Sequence, residues 1–345
     1  MSTKLNPLQS TATIAILVAS PRSGSSFLTQ TLMSHPQVLQ FGELFSFNSH
    51  VRLPCAQLSS DAVHTTATGS HSSITNCGHS DQVDDMHVNT TGFCMPESLF
   101  SARHSTGTAS AAFINSLAEL AENAGKRVVG FKLMPFQLFQ SKGKPQHRFP
   151  LGSPGQFSHL LTSLQPRRIA LIILERTDKA LQYVSGELGA RDSRCYHMLD
   201  CRNMSIEFDQ ARFEWFVNLQ QTYYGAVEEE IQQAINKSKG LRIQVLHLNY
   251  EQDVNVPASN LEHTFLRAFN FLKIEESKQA VAKALTEHNS FDRNTPLESN
   301  VLQRRIANWA DLPLQIRAKL TNFSIVASAA HSHDEDVTFS RNFTF

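Results

Sequence analysis

Between positions 14 and 28 the chain reads IAILVASPRSGSSFL. Arg22, Ser23, Gly24, Ser25 and Ser26 stand directly behind an apolar run, and apolar character resumes at Phe27. A segment that leaves a buried strand and enters a helix exposes backbone N–H groups at the positive end of the helix dipole. Three serine hydroxyls add donors there. Gly24 lets the backbone approach a ligand closely, and Arg22 supplies a fixed, forked cation. These residue types together make an oxyanion cradle suited to a phosphate or a sulfate. A serine-rich helix cap would draw on the same hydroxyls, though it has no use for Arg22. The familiar triphosphate loop, GxxxxGK followed by Ser or Thr, is absent, because there is neither a second glycine nor a lysine before the hydroxyl.

A second pairing of cation and hydroxyl lies in LERTDKALQYVSGE, where Arg176 and Ser185 are nine positions apart. Arg176 leaves the carboxyl end of an apolar run, the edge at which open α/β sheets bind ligands. Ser185 follows on a helical stretch. A surface arginine and a mid-helix serine would look the same in isolation; a position beside the first loop favours a shared anion.

The elements that must hold these groups read clearly. Four apolar runs rich in β-branched residues, IAILVA (14–19), RVVGFKLM (127–134), RIALIILE (168–175) and RIQVLHLNY (242–250), predict buried parallel strands. Helices are expected over Phe27–His35, Lys179–Leu188 and Leu261–Phe271, the last capped by Asn260, with a long amphipathic one over Phe208–Ala234. Alternating strands and helices imply an α/β fold, three layers with a central parallel sheet. One domain of 345 residues is expected, with its core over about 14–325. Residues 46–110, dense in Ser, Thr, His, Gly and Asn, read as a long surface insertion, either without a role or a lid that touches substrate. SKGKPQHRFPLGSPGQF (141–157) is a second loop, and 326–345 a polar tail.

Lys plus Arg equals Asp plus Glu at 31 each, which excludes bulk binding to nucleic acid or to an anionic membrane and leaves anion binding to a few placed cations. No run approaches the roughly 18 apolar residues of a membrane span, so a cytoplasmic protein is expected, or one in the Golgi lumen if an N-terminal anchor precedes this sequence. Five cysteines, an odd number, argue against a complete internal disulfide set, although the spacing of Cys195 and Cys201 allows a small closed loop. No cysteine or histidine cluster has zinc spacing.

PRSGSSFL resembles the phosphosulfate-binding loop of sulfotransferases that use 3′-phosphoadenosine-5′-phosphosulfate (PAPS), with Arg22 where carbohydrate-type members carry Arg and cytosolic members carry Lys. LERTDKALQYVSGE resembles the same family's 3′-phosphate-binding segment at Arg176 and Ser185. DKALQYVS, GFKLM (130–134) and IEFD with Trp215 behind it are similar to the bacterial trehalose sulfotransferase branch. The resemblance covers most of residues 14–320 thinly, and only the two binding motifs are specific.

It implies a P-loop-like sulfotransferase fold and transfer of a sulfuryl group to an acceptor hydroxyl on a small molecule, glycan or glycolipid, without a metal. Arg22 would stabilise the leaving phosphate, with Ser23, Gly24, Ser25 and Ser26 around it. Arg176 and Ser185 would read the 3′-phosphate. Lys132 would touch the sulfuryl oxygens, or serve as a strand-end ion-pair partner. Tyr250, in YEQD, would lie near adenine, and Arg304 and Arg305, in QRRIANWADL, would reach the 3′-phosphate from a basic loop that departs from the cytosolic RKG pattern. The second strand ends FKLMPFQ, without the histidine that serves cytosolic members as base. The trehalose branch points instead to Glu43, in FGELF, as general base from the loop beside the cradle; His64, His71, His79 and His104 of the insertion compete for that role. Two other readings stand beside this one: a small-molecule phosphotransferase on a related scaffold, and a non-catalytic module that binds anions or glycans.

Overall fold

The apolar runs become strands. β1 spans Thr13–Ala19, β2 Val38–Glu43, β3 Val128–Leu133, β4 Ile169–Glu175 and β5 Ile243–Asn249. The computed structural model describes residues 11–44, 53–54, 92–93, 107–138, 154–192, 204–238, 240, 242–275, 277–290 and 301–329. Most of the 46–110 stretch, residues 141–153 and 330–345, the five cysteines and His64, His71, His79 and His104 lie outside the described residues.

The strands form one five-stranded sheet in the order β2-β3-β1-β4-β5, and every pairing is parallel. β1, in the middle, aligns Ile16 with Phe131 of β3 and with Leu171 of β4. All seven residues of β1 are buried, as are all six of β3. That is why these strands read as nearly continuous apolar runs, with Lys132 the charged exception in β3, rather than as alternations.

Helices cover both faces. α1 spans Ser25–Met33, α2 Gly107–Asn123, α3 Gln156–Ser163, α4 Lys179–Arg191, α5 Gln210–Lys237, α6 Ala258–Leu272, α7 Lys278–Ser290, α8 Val301–Arg305 and α9 Leu314–Ala329. On one face Ile14, Ile16, Val18, Phe131 and Leu171 pack against Ile114 and Leu117 of α2, Leu160 of α3 and Val227 of α5. On the other, Ala15, Leu17, Ala19, Ile172 and Leu174 meet Phe27 and Leu28 of α1, Phe265 and Phe269 of α6 and Val281 of α7. The successive residues of each strand divide between the two clusters, as the period of two requires. The expected three-layer α/β architecture is therefore present. A third cluster joins Leu181 and Val184 of α4 to Phe213 of α5, Leu302 of α8 and Leu320 of α9.

Several boundaries differ from expectation. α1 begins at Ser25 rather than Phe27, so the serines of the loop already belong to its first turn. Asn260 does not cap α6; Pro257 precedes the first turn, where its restricted φ suits helix entry, and Asn260 lies exposed inside the helix. β2 is a strand, although the sequence pattern around Glu43 predicts a loop. Its six residues carry Gln40 and Gly42, which interrupt the apolar pattern, and its pairing with β3 is irregular between Gln40 and Glu43. α2 starts at Gly107 because Ala111, Ile114, Leu117, Ala118 and Ala121 recur at helical spacing and bury one stripe. α9 continues to Ala329.

Candidate functional site

β1 and β4 lie side by side; the chain leaving β1 enters α1 on one face, and the chain leaving β4 passes through α4 to α5 on the other. That is a topological switch point, and the crevice beyond the carboxyl ends of the strands is where such sheets bind ligands. Pro21–Gly24 follows β1 there, and Arg176–Asp178 follows β4.

The loop after β1 is braced from the α5 side. The Ser20 N–H donates to Tyr224 Oη (3.0 Å), the Tyr224 hydroxyl donates to the Leu174 carbonyl (2.8 Å), and the Ser20 hydroxyl donates to Gln220 Oε1. Tyr224 thereby ties the end of β1 to the end of β4. Burial pushes its phenol up to about 12, so it remains a donor at neutral pH. Ser23 is fully buried, and its hydroxyl donates back to the Ser20 carbonyl (2.6 Å). Its hydroxyl closes the turn.

Arg22 and Gly24 both adopt left-handed backbone, with φ of 63° and 78°. Gly24 does so freely, whereas Arg22 gives up about 1–2 kcal/mol. Contacts from the β4–α4 segment hold the strained turn. Arg176 Nη1 donates to the Arg22 carbonyl (2.9 Å), and Gln182 Nε2 donates to the Pro21 carbonyl (2.9 Å). Arg22 Nε donates to Ser185 Oγ (2.7 Å). Gln182 and Ser185 are three residues apart on α4 and so share a face. Sequence reading paired Arg176 with Ser185; the structure brings Arg22 to both of them.

α1 opens onto the same place. Its ladder begins with Phe27 N and Leu28 N donating to the Gly24 carbonyl (3.1 and 3.3 Å). The N–H groups of Gly24, Ser25 and Ser26 precede that ladder, at the positive end of the helix. Ser25 is buried and Ser26 exposed. A β-carbon at Gly24 would lie 2.6 Å from two ring carbons of Tyr250, so the bare glycine is what lets the Tyr250 ring close over the loop. The guanidinium carbon of Arg176 stands 4.7 Å from the centre of that ring, within cation–π range. Arg22, Gly24, Arg176, Ser185 and Tyr250, drawn from three segments of the chain, form one cluster. Two guanidinium groups, the first amides of a helix and a residue without a side chain fit a ligand with more than one anionic group.

Glu43 is the last residue of β2. It lies opposite Lys132 of β3, whose Nζ donates to Glu43 Oε1 (3.0 Å). Lys132 is almost wholly buried, while a third of the Glu43 side chain is exposed. The pair occupies the same carboxyl edge of the sheet as the loop. Arg304 and Arg305 end α8, whose Leu302 packs in one cluster with Leu181 and Val184 of α4. Arg305 Nη1 donates to the Met204 carbonyl (3.1 Å), and burial, with the neighbouring Arg304 charge, lowers its pKa. Arg304 is exposed. Trp215 stands 60% exposed on α5.

Gln182, Tyr224 and Glu251 do not stand out in the sequence. Tyr224 carries no motif, and Gln182, although inside DKALQYVS, is a single polar residue in a helix with nothing to mark its partner. Glu251 was visible in principle, because it follows the fourth predicted strand at its carboxyl end.

No family model and no curated protein matches the chain. Solved structures do match it. The sulfotransferase domain of the Synechococcus PCC 7002 olefin synthase is 18% identical over 96% of this chain and 98% of its own, with a TM-score of 0.37. Sulfotransferase STF9 from Mycobacterium avium is 9% identical over 92% of this chain and 77% of its own, with a TM-score of 0.43. The sulfotransferase domain from the curacin biosynthetic pathway is 13% identical over 92% and 98%, with a TM-score of 0.35.

Proposed function

We propose that this protein transfers a sulfuryl group from PAPS to a hydroxyl of a small molecule, glycan or glycolipid. One observation carries the reading: Arg22, Arg176 and Ser185, remote in sequence, converge at the head of α1 beyond the carboxyl ends of β1 and β4. A donor nucleotide with phosphate at both 5′ and 3′ positions needs two cationic stations close together, and this cluster supplies them.

Each side chain then has a task. The α1 amides and Arg22 bind the 5′ end, and Arg22 stabilises the charge that grows on the leaving phosphate. Arg176, with Ser185, holds the 3′-phosphate, and Tyr250 offers its ring beside the purine. Glu43 accepts the acceptor's hydroxyl proton as that oxygen attacks sulfur and the bond from sulfur to the phosphate oxygen breaks, its electron pair leaving with the nucleotide. Lys132 holds one Glu43 oxygen at 3.0 Å, which leaves the other to face the incoming hydroxyl and fixes the direction of the carboxylate. Arg304 and Arg305 end α8, which packs on α4 through Leu302, and are assigned to the rim of the site.

Calorimetry with 3′-phosphoadenosine-5′-phosphate tests the binding half of this reading, with ATP as the competing nucleotide. Tight binding of the bisphosphate and weak binding of ATP are expected; the reverse order would favour a phosphotransferase and refute the proposal. Glu43→Gln tests the chemical half, since loss of a general base lowers turnover by about 10²–10⁴ while donor affinity stays nearly unchanged. Normal turnover in that variant would remove Glu43 from the mechanism.

A further inference from the structure

The turn after β5 holds a carboxylate that the mechanism above does not use. Glu251 is 3% exposed and sits in a single wide helical turn, Tyr250–Val254. A buried carboxylate is costly unless its oxygens are matched by donors. Here all the donors come from the turn between β4 and α4. The Thr177 N–H donates to Glu251 Oε2 (2.8 Å) and the Asp178 N–H to Oε1 (3.2 Å). Arg176 Nε lies 3.4 Å from Oε1, an ion pair in which the N–H is not aligned for a hydrogen bond. Glu251 therefore grips three consecutive residues at once.

Around it, the β4–α4 turn is otherwise fully specified. The Asp178 side chain accepts from Leu181 N (2.8 Å) and caps α4, and Lys179 Nζ donates to the Arg176 carbonyl. Asn249, the residue before Tyr250, donates from Nδ2 to Thr177 Oγ1 and accepts from the Glu251 and Gln252 N–H groups. The backbone of 176–178 is thus set by side chains of the β5 end. Only the direction of the Arg176 guanidinium remains to be chosen, and it is bounded by Tyr250 on one side, the Arg22 carbonyl on another and the Glu251 carboxylate on the third.

We propose that Glu251 is the positioning residue for Arg176: it aims the guanidinium into the crevice, so that preference for a nucleotide's second phosphate depends on a buried side chain that never touches it. The inference rests on the reading of Arg176 as the 3′-phosphate residue, and it assigns a role to a residue outside the binding cluster. The imperfect alignment of Arg176 Nε on Glu251 matters here. A carboxylate that consumed the guanidinium's hydrogen-bonding capacity would compete with ligand phosphate, whereas one that holds it by charge and leaves it misaligned orients it.

The test compares affinity for 3′-phosphoadenosine-5′-phosphate with that for adenosine 5′-monophosphate, which differ by the 3′-phosphate alone. The ratio of the two affinities is the readout. Arg176→Ala lowers it by roughly tenfold or more. Glu251→Gln is nearly isosteric, but its amide nitrogen must replace either Oε1, which faces the Asp178 N–H and the Arg176 guanidinium, or Oε2, which faces the Thr177 N–H, all donors. It lowers the ratio by roughly three- to tenfold, while affinity for the monophosphate changes by less than about twofold. In the Arg176→Ala background Glu251→Gln lowers the ratio no further, because the two residues act as a unit. A carboxylate that merely braces the fold would weaken both nucleotides alike and leave the ratio unchanged, and that result overturns the proposal, as does additivity in the double variant. A wild-type ratio near one would remove the nucleotide reading itself, and this inference with it. If Glu251→Gln fails to fold by circular dichroism, Glu251→Asp replaces it; withdrawing the carboxylate by one methylene also lowers the ratio, and an unchanged ratio there overturns the proposal.

Discussion

Replacing Gly24 by alanine strikes the point where the loop, Tyr250 and Arg176 meet. Two costs add. The residue holds φ of 78°, which an L side chain tolerates at about 1–2 kcal/mol. The new β-carbon would also sit 2.6 Å from Tyr250 Cδ2 and Cε2 and 3.1 Å from Val254 Cγ1. Carbon atoms rest at about 3.5–4.0 Å, so the ring must retreat by roughly 1 Å, at the about 1–3 kcal/mol typical of overpacking. The sum is about 2–5 kcal/mol of stability, measurable by urea denaturation. Function suffers more than stability. Tyr250 underlies the Arg176 guanidinium at 4.7 Å, so a displaced ring displaces the cation, and a 1 Å error in such a group costs about 10² in rate. The control is Tyr250→Ala, which removes the obstructing ring. In that background Gly24→Ala retains the backbone cost of about 1–2 kcal/mol and the tight 3.1 Å approach to Val254 Cγ1, and loses the ring clash. An equal stability loss with and without the ring would refute the steric account, and unchanged turnover in Gly24→Ala would refute the claim that Gly24 and Tyr250 jointly set Arg176.

Other outcomes follow from the same geometry. Arg22→Ala should lower turnover far more than nucleotide affinity, since its side chain is assigned to the leaving phosphate; steady-state kinetics beside calorimetry separates the two. Tyr224→Phe leaves the Ser20 N–H and the Leu174 carbonyl without their shared partner. An unsatisfied buried group costs about 1–3 kcal/mol, so denaturation should show a loss of that size. His35 gives a pH signature. Its Nδ1 accepts from Gln37 N (3.1 Å), and its Nε2 then donates to the Glu275 carbonyl (2.8 Å), an arrangement that requires the neutral ring. Burial lowers its pKa from the ordinary 6.5. The unfolded chain therefore binds the proton first, and stability, full above pH 6.5, is lost as pH falls from 6.5 toward the folded pKa. His35→Gln should flatten that part of a melting-temperature profile, and a profile unchanged by the substitution would count against the assignment.

Much of this was legible along the chain. Parallel strands buried on both faces must be continuously apolar, so IAILVA and RIALIILE declare themselves. A loop of small hydroxyls, glycine and arginine behind the first of them motivates the proposed anion site, because the groups involved are local: a helix start, its amides and the side chains within five residues. Arg176 and Ser185 stand out along the chain for the same reason, being at a strand end and on the helix that follows it, and the structure joins both to Arg22. What the chain could not declare is which distant groups share a boundary. β2 hid because Gln40 and Gly42 break its apolar pattern, and only pairing with β3 makes a strand of it and sets Glu43 against Lys132. Gly24 looks like any loop glycine until the Tyr250 ring, more than 220 residues later, is found where its side chain would be. Glu251, an ordinary acidic residue in YEQD, becomes the anchor of Arg176 only because β4 and β5 end side by side. Local chemistry follows from neighbours in sequence, which the chain states directly. Charge pairing, steric closure and the burial that makes them matter act between surfaces, and only the order of strands in the sheet decides which surfaces meet.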